Sequence, residues 1–461
     1  MKRILGLIVC LVVLAGCSTK QPSTTQQTGN LAKANGPVGA PPQGELPPGP
    51  PPGGFPPGPP PGGGPAGPGK VITGTGAYVL ANNQILSGGL YTSTKKDQNV
   101  IRAQGHTRAM LQDVAIRKLR GHSTNIGASS FYGLNAAVLA LDHALLTING
   151  GSIKATAEGA TGVFAYNKST VHINNTHIDV SGGNAGGIEV AGGGTIYAKD
   201  LIVHATVKAA IRSDRGGGKI VVTGGDYTTR GSLGAPVIYS TADIQVHHAK
   251  LVSHTSEAVV IEGYNSVTVT NSFVSGNMHH DKKGMYGQNI HNVMLYQSMS
   301  GDAQTGSSHF TMQGGTLVAN QGDMFYVTNT DSVINLKKVH LKLAPHSKLL
   351  LVAGNNGARG WGKVGSNGGV CQFNLTEQRV SGDIQVDSIS KLHMNITDQS
   401  LYKGAINTDG TKAPVTVTID GSSTWTLTGD SHIAKLKGSL NRIHFNGHIL
   451  YINGVAVSHH G

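Results

Sequence analysis

Acidic and basic side chains recur at similar points of neighbouring segments, and these are the best candidates for chemistry. Glu189 follows one apolar run, and Arg212 and Asp214 follow the next. Successive residues of a strand alternate between its two faces, so we expect these side chains to point outward on adjacent strands. Glu189 and Asp214 would then lie about 5 to 9 Å apart, which spans the separations used by retaining and inverting glycosidases. They are the candidate catalytic pair.

The residues around this pair favour an acidic ligand. Arg212 lies between the two carboxylates, where a guanidinium can bind a uronate or sulfate through two parallel hydrogen bonds. Arg215 follows, and Glu262 ends a later run, too far along to pair with Glu189. We call Glu189, Arg212, Asp214, Arg215 and Glu262 the charged stripe and expect it to face solvent. A solvated ion-pair network that contributes little stability is the alternative interpretation.

Three tyrosines are expected on the same side of the molecule as the charged stripe. Tyr239, Tyr264 and Tyr296 follow or precede its members closely in the sequence. Exposed rings combine an apolar face with a polar tip and can stack on sugars, although some of these rings could instead belong to the core. Together with Arg212, Arg215 and Glu262, they are the candidate ligand-binding residues.

Metal and cofactor sites are not predicted. The chain has 21 histidines, including the pairs His247-His248, His279-His280 and His459-His460. Neighbouring residues of a strand point to opposite faces, so only a pair in a loop could chelate together. No His-Glu-x-x-His motif, Cys-His cluster, phosphate-binding loop, dinucleotide fingerprint or nucleophile elbow occurs in a fitting context. A divalent cation is conceivable but has no support in the sequence.

A repeat must position these residues. Short apolar strands begin at intervals of 23 to 25 residues, and two further strands follow each of them within the repeat. Short polar corners rich in Asn and Gly separate the first two strands, because these residues tolerate the left-handed backbone conformation. The first strands of six successive repeats begin at Leu146, Val171, Ile196, Ile220, Ile244 and Val267.

This period, the three strands and the corners resemble the right-handed parallel β-helix of the pectin-lyase-like superfamily. The resemblance covers most of residues 70–461, so we expect an all-β fold of about 14 to 16 stacked coils. Residues 125–135, 278–288 and 355–369 interrupt the repeat, and interruptions of a solenoid often carry function. Cys371 and Trp425 lie in alternating strand patterns and are expected in the core.

The enzymes of this superfamily match the chain poorly. Polygalacturonases combine an Asn-Thr-Asp motif with an Asp-Asp pair and an Arg-Ile-Lys motif. Asn329-Thr330-Asp331 and Asn407-Thr408-Asp409 occur here, but the other two motifs do not. Pectate lyases need acidic clusters for calcium, and this chain is poor in acids. The resemblance to β-helix surface adhesins implies adhesion or polysaccharide binding instead. A polysaccharide lyase or glycoside hydrolase, and a structural spacer without a ligand, remain open alternatives.

The composition separates an N-terminal region from the repeat. Only 13% of the 461 residues are charged, and 15 of the 19 prolines lie in residues 36–69 with 12 glycines. Such a segment cannot bury enough apolar surface to fold, so residues 17–69 are predicted to form a disordered tether. Residues 1–16 have the basic start and short apolar run of a signal peptide.

The signal ends in Leu-Ala-Gly-Cys, which resembles the bacterial lipobox. The resemblance implies cleavage before Cys17 and lipid attachment to its sulfur, hence a membrane-anchored lipoprotein of the bacterial cell envelope. Cys10 would leave with the signal, so no disulfide within the mature chain is possible. Residues 70–461 would carry the function outside the cytoplasm, where nucleic acid is a poor candidate partner.

The net charge indicates the kind of partner. The chain carries 36 basic and 24 acidic residues, a formal charge of +12. Removing Lys2 and Arg3 with the signal leaves 34 and 24, or +10. A basic surface outside the cell favours anionic partners such as acidic polysaccharide or a negatively charged cell surface. The oligomeric state is not predicted.

Overall fold

The computed structural model describes residues 71–231, 235–279, 289–298 and 300–457. They form an all-β, right-handed parallel β-helix with three strands per coil, which confirms the predicted fold. The predicted signal peptide, Cys17, the tether and most of the 278–288 interruption lie outside the described residues. Among the described residues, no helix is both long and apolar enough to cross a membrane.

Three long parallel sheets, which we call A, B and C, are wound one after another in each coil. Sheet A contains Thr75–Val79, Gln98–Gln104, Val138–Leu141, Val163–Tyr166, Ile188–Ala191, Ile211–Ser213, Ile238–Ser240, Val259–Glu262, His291–Tyr296, Asp323–Thr328, Leu350–Val352 and Ile384–Val386. Sheet B contains Gln84–Ser87, Arg108–Gln112, Leu145–Asn149, Thr170–Asn174, Gly194–Lys199, Gly218–Thr223, Asp243–His247, Ser266–Thr270, Ser307–Gln313, Asp331–Lys337, Val370–Thr376, Lys391–Thr397, Val415–Ile419 and Lys435–Lys437. Sheet C contains Leu90–Thr92, Ala115–Lys118, Ser152–Ala155, His177–Val180, Ile202–Ala205, Asp226–Thr229, Lys250–Ser253, Phe273–Gly276, Thr316–Ala319 and His340–Lys342. The 14 strands of sheet B agree with the predicted number of coils.

Two small sheets and two short helices complete the fold of the described residues. The four-stranded sheet contains Arg379–Ser381, Leu401–Lys403, Thr424–Thr426 and Ile443–His444. The three-stranded sheet contains Ser431–Ile433, Leu450–Ile452 and Val455–Val457, and its last two strands pair antiparallel. An α-helix spans Ile126–Tyr132 and a 3-10 helix spans Leu440–Arg442.

One apolar core runs through the coils because every second side chain of each strand points inward. Leu146, Val171, Ile196 and their counterparts stack in register from strand to strand. Coil stacking buries apolar surface that a single coil could not bury alone. Cys371 and Trp425 belong to this core, as predicted, and burial raises the pKa of the Cys371 thiol to about 12.

The corner between sheets B and C takes one left-handed residue in most coils. Asn and Gly were predicted there, and Gly150, Asn175 and Asn271 fit, while His248 and Lys338 show that longer side chains also occupy the position. Side chains next to this corner bond along the axis: Asn174 Nδ2 donates to Asn149 Oδ1 at 2.9 Å. The corners therefore set the coil repeat, as their composition indicated.

Candidate functional site

The charged stripe lies on the outer face of sheet A, in two neighbouring columns. Glu189 is in register with Arg212, which is in register with Tyr239 on the next strand. Glu262 pairs with Tyr296 in the second column. The sequence prediction that these side chains leave the core and align from coil to coil is therefore correct for the strands that carry them.

The expectation that this stripe faces solvent is wrong. Glu189 and Glu262 have no exposed surface, and Arg212 and Asp214 are each 1% exposed. Only Arg215, with a side chain 25% exposed, reaches the surface. Tyr239 and Tyr296 are buried as well. The stripe is thus an interior polar layer that lies outside the main core.

Segments that interrupt the repeat form the cover over this layer. Asn125 caps the helix Ile126–Tyr132, since its side chain accepts from the Ala128 backbone N–H at 2.9 Å, and Gly133 ends the helix with φ 72°. Ser130 and Phe131 of this helix face the stripe. Trp361, from the 355–369 interruption, packs against Tyr296 with ring centroids 4.8 Å apart. Apolar and polar contacts together hold these segments onto sheet A.

Four charged side chains form a buried network beneath the helix. Lys208 Nζ lies 3.5 Å from Glu189 Oε1 and donates to Ser130 Oγ at 2.8 Å. Arg212 Nε lies 3.3 Å from the same Glu189 oxygen, and its Nη2 lies 2.8 Å from Asp214 Oδ2. Thr161 donates to the other oxygen of Glu189 at 2.9 Å. Two positive and two negative groups are balanced here.

Burial dominates the protonation of this network. It raises the pKa of Glu189, against the opposing effect of Lys208 and Arg212. Burial likewise lowers the pKa of Lys208 to about 8, although the Glu189 charge opposes this. For Arg212, burial acts downward but Asp214 and Glu189 outweigh it and hold the pKa above its ordinary value. Lys208 was missed in the sequence; its apolar neighbours Val207, Ala209 and Ala210 were the available signal.

Glu262 lies in a separate hydroxyl-rich site. Tyr239 and Tyr296 both donate to its Oε2, the latter at 2.9 Å, and Ser298 donates to Oε1. Burial, followed by the charge of Asp302, raises the pKa of Glu262. The three hydroxyl donors stabilise the buried carboxylate and connect sheet A to the segment after Tyr296.

Arg215 fastens a further part of the cover. Its Nη2 lies 2.6 Å from Asp302 Oδ1, and its guanidinium carbon lies 4.1 Å from the centroid of the Phe131 ring. One side chain therefore contacts both the helix Ile126–Tyr132 and the segment around residue 302. In this arrangement the charged stripe binds the protein's own covering segments. A substrate would have to displace them to reach Glu189 or Asp214.

Tyr264 differs from the other predicted residues because its side chain is 63% exposed. It lines an open cleft of about 330 Å³ at the corner between sheets A and B, together with Asp243, Asn265 and His309. Gly217 and Gly218 form the bare side of the cleft. A Cβ at Gly218 would lie 2.4 Å from the Gly194 carbonyl oxygen, so the backbone at this position requires glycine.

The cleft opens onto the outer face of sheet B. One column of that face contains, in register, Lys219, Asp243, Ser266 and His309. Lys219 Nζ lies 3.9 Å from Asp243 Oδ2 on the neighbouring strand. An aromatic platform above hydroxyl, amide and imidazole groups can stack on a sugar ring and bond its hydroxyls. Asp243 and His309 were not among the predicted site residues, since their alignment with Tyr264 depends on coil register.

No metal centre is evident in the part of the chain that the structure describes: no group of three or more His, Cys, Asp or Glu side chains lies close enough to hold an ion. Comparison with models of known protein families, with curated proteins and with solved structures finds no match to this chain.

Proposed function

We propose that this protein is a lipid-anchored component of the bacterial cell envelope whose β-helix binds polysaccharide, as an adhesin does. The observation that carries the proposal is the cleft beneath the exposed ring of Tyr264. It is the one part of the predicted ligand-binding set that combines a solvent-facing aromatic ring with nearby polar groups and open space.

The extent of sheet B supports a polymeric ligand. Its outward positions carry mostly Thr, Asn, Gln, His and Lys, and they continue in register from the cleft in both directions along the axis. His172 and Tyr197 add a stacked pair of rings, 4.9 Å between centroids, on the same face. A long sugar chain can contact such a surface over several coils, each contributing a small free energy.

The anchor and the family are part of the proposal and depend on the sequence alone. The Leu-Ala-Gly-Cys ending and the Pro/Gly-rich tether favour lipid attachment at Cys17 and presentation of the β-helix away from the membrane. The strand period and corners favour membership of the pectin-lyase-like superfamily. The lyase or hydrolase alternative gains no support from Glu189 and Asp214, because both carboxylates lie beneath the covering segments.

A glycan array probed with the full chain tests this function. Tyr264→Ala should weaken binding to the best glycans by about 2- to 13-fold, since an aromatic contact contributes about 0.5–1.5 kcal/mol. Tyr78→Ala is the matched control, because Tyr78 is also partly exposed but lies on the first strand of sheet A. Equal losses in both variants, or no glycan bound by the unchanged protein, would contradict the proposal.

Catalysis is tested on the same glycans. Bound polysaccharides are incubated with the protein and assayed for new reducing ends and unsaturated products. Binding without product is the expected result. Product formation that disappears in Glu189→Gln or Asp214→Asn would replace the binding function with an enzymatic one.

A further inference from the structure

The last four strands of sheet B present a regular polar surface. Their outward residues form two columns in register. The first column contains Gln372, His393, Thr416 and Lys435, and the second contains Asn374, Asn395, Thr418 and Lys437. Lys391 begins its strand on the same face. We call Lys391, Lys435 and Lys437 the distal lysine patch.

The three lysines are exposed. Lys391 begins one strand, and Lys435 and Lys437 share the strand that lies two coils further on, about 10 Å away along the axis at a spacing of about 4.8 Å. Within the described residues, none of their ammonium groups forms a salt bridge with a carboxylate. Burial lowers the pKa of His393, and the positive charges of Lys391 and Lys437 lower it further. The positive groups therefore act on the same small area.

Two carboxylates near this area, those of Glu377 and Asp420, are engaged by other groups. Glu377 contacts Lys337 and Lys338 at 2.8 and 2.6 Å. Asp420 accepts from the backbone N–H groups of Asp398 and Ser422 at 2.7 and 2.9 Å. The outward side chains of the four strands include no Asp or Glu. The charged side chains of these four strands are therefore all basic.

A chain of amide groups adds hydrogen-bond donors beside the lysines. Asn395 Nδ2 donates to Asn374 Oδ1, and Asn374 Nδ2 donates to Asn335 Oδ1, each at 2.7 Å. Asn335 in turn donates to Thr311 at 2.9 Å. Each amide nitrogen carries two hydrogens and donates one of them to its neighbour, so each of these asparagine side chains keeps a second N–H donor. These donors repeat once per coil along the axis.

We propose that the distal lysine patch and the adjoining asparagines bind the acidic groups of a carboxylated or sulfated polysaccharide that lies along the axis of the β-helix. This inference rests on the proposed function and narrows its ligand to acidic glycans. Lysines attract the charged groups, and the amide and threonine side chains match sugar hydroxyls. The four strands present no outward Phe, Tyr or Trp on which nucleic-acid bases would stack.

The test compares the unchanged full chain with the triple variant Lys391→Gln, Lys435→Gln, Lys437→Gln. The control triple variant Lys95→Gln, Lys96→Gln, Lys342→Gln removes the same charge from exposed lysines elsewhere. Binding is measured on polygalacturonate, heparin, neutral dextran and a single-stranded DNA. The DNA has about 20 nucleotides so that it can span several coils. Thermal melting verifies that all variants are folded.

We expect the patch variant to lose about tenfold in affinity for polygalacturonate or heparin, because it removes three charge contacts with the glycan, and we expect the control to change less than about twofold. Equal losses in both triple variants, no binding of either acidic glycan by the unchanged chain, or DNA binding as tight as glycan binding and equally sensitive to the variant would overturn the inference. If only the patch variant loses affinity for acidic glycans and Tyr264→Ala has no effect, the result supports the distal lysine patch and contradicts binding at the cleft. If Tyr264→Ala weakens binding of all glycans and the patch variant weakens binding of none, the result supports the cleft and contradicts the patch.

Discussion

The outer faces of sheets A and B begin from the same alternation of side chains and end in opposite environments. On sheet A, Glu189, Arg212 and Glu262 point away from the core and are nevertheless buried under covering segments. On sheet B, the corresponding column positions from Asp243 to Lys435 remain at least partly exposed. A side chain that points away from the core of a solenoid is therefore not always exposed to solvent. Its charge does not determine whether it is buried or exposed.

The two faces also use polar groups differently. The network under the helix Ile126–Tyr132 pairs positive and negative groups that are almost completely buried, so removing one partner leaves the other buried without its counter-charge. The amide chain through Asn374 links neutral groups that water can still reach. We expect the first to control stability and the second to control recognition.

Arg212→Ala should cause the largest loss of stability. It leaves Glu189 and Asp214 buried without their shared cation, which should cost about 3–5 kcal/mol in the free energy of unfolding. Urea denaturation followed by circular dichroism measures this. Arg108→Ala, at an exposed position of sheet B, serves as the control and should cost less than about 0.5 kcal/mol. Similar costs for the two variants would mean that the sheet A network is not structural.

Tyr296→Phe should have the next largest effect. It removes one of the hydroxyl donors to the buried Glu262 carboxylate while keeping the ring that packs against Trp361. We expect a loss of about 1–3 kcal/mol in the free energy of unfolding. Amide hydrogen exchange should also show faster opening of the segment around Ser298, and unchanged exchange there would contradict the role of Glu262 as an attachment point.

The pH dependence of stability should carry the signature of Lys208. Its pKa of about 8 lies below the ordinary lysine value of 10.5, so the folded state releases the proton first as pH rises. The unfolded state then holds more protons between about pH 8 and 10.5, and this group makes the folded state more stable as pH increases through that window. Relative to Lys208→Met, the unchanged protein should gain on the order of 1 kcal/mol in urea denaturation. A loss over the same window would show that the ammonium is not destabilised by burial.

Asn374→Ala should have the smallest effect on stability. The variant removes two side-chain hydrogen bonds from a surface that remains wet, so we expect about 0.5–1 kcal/mol. The melting temperature and the unfolding free energy measure it. A cost as large as that of Arg212→Ala would remove the distinction between the two faces.

Much of the fold followed from the sequence because its causes are local. The period, the inward residues such as Ile196 and Cys371, and the left-handed corners such as Asn175 depend on neighbours within one coil. The alignment of Glu189 with Arg212 also followed, since adding one period carries one residue onto the other.

The cover could not be predicted in the same way because its contacts join distant parts of the chain. Ser130 and Lys208 are 78 positions apart, and Arg215 and Asp302 are 87 apart. The interruptions at 125–135 and 355–369 were visible, but not the sheet onto which they fold. Concentrated charge in a chain with few charged residues was the remaining clue that the stripe had buried partners.

The antiparallel pairing of Leu450–Ile452 with Val455–Val457 has a consequence for assembly. Each of the preceding coils presents the edge of a parallel strand to the coil that follows. An exposed edge of this kind can pair with a strand from another molecule. At this hairpin the chain reverses direction, so the edge strand of the three-stranded sheet runs opposite to the strands of the coils. This edge therefore disfavours the addition of a further parallel strand from another molecule.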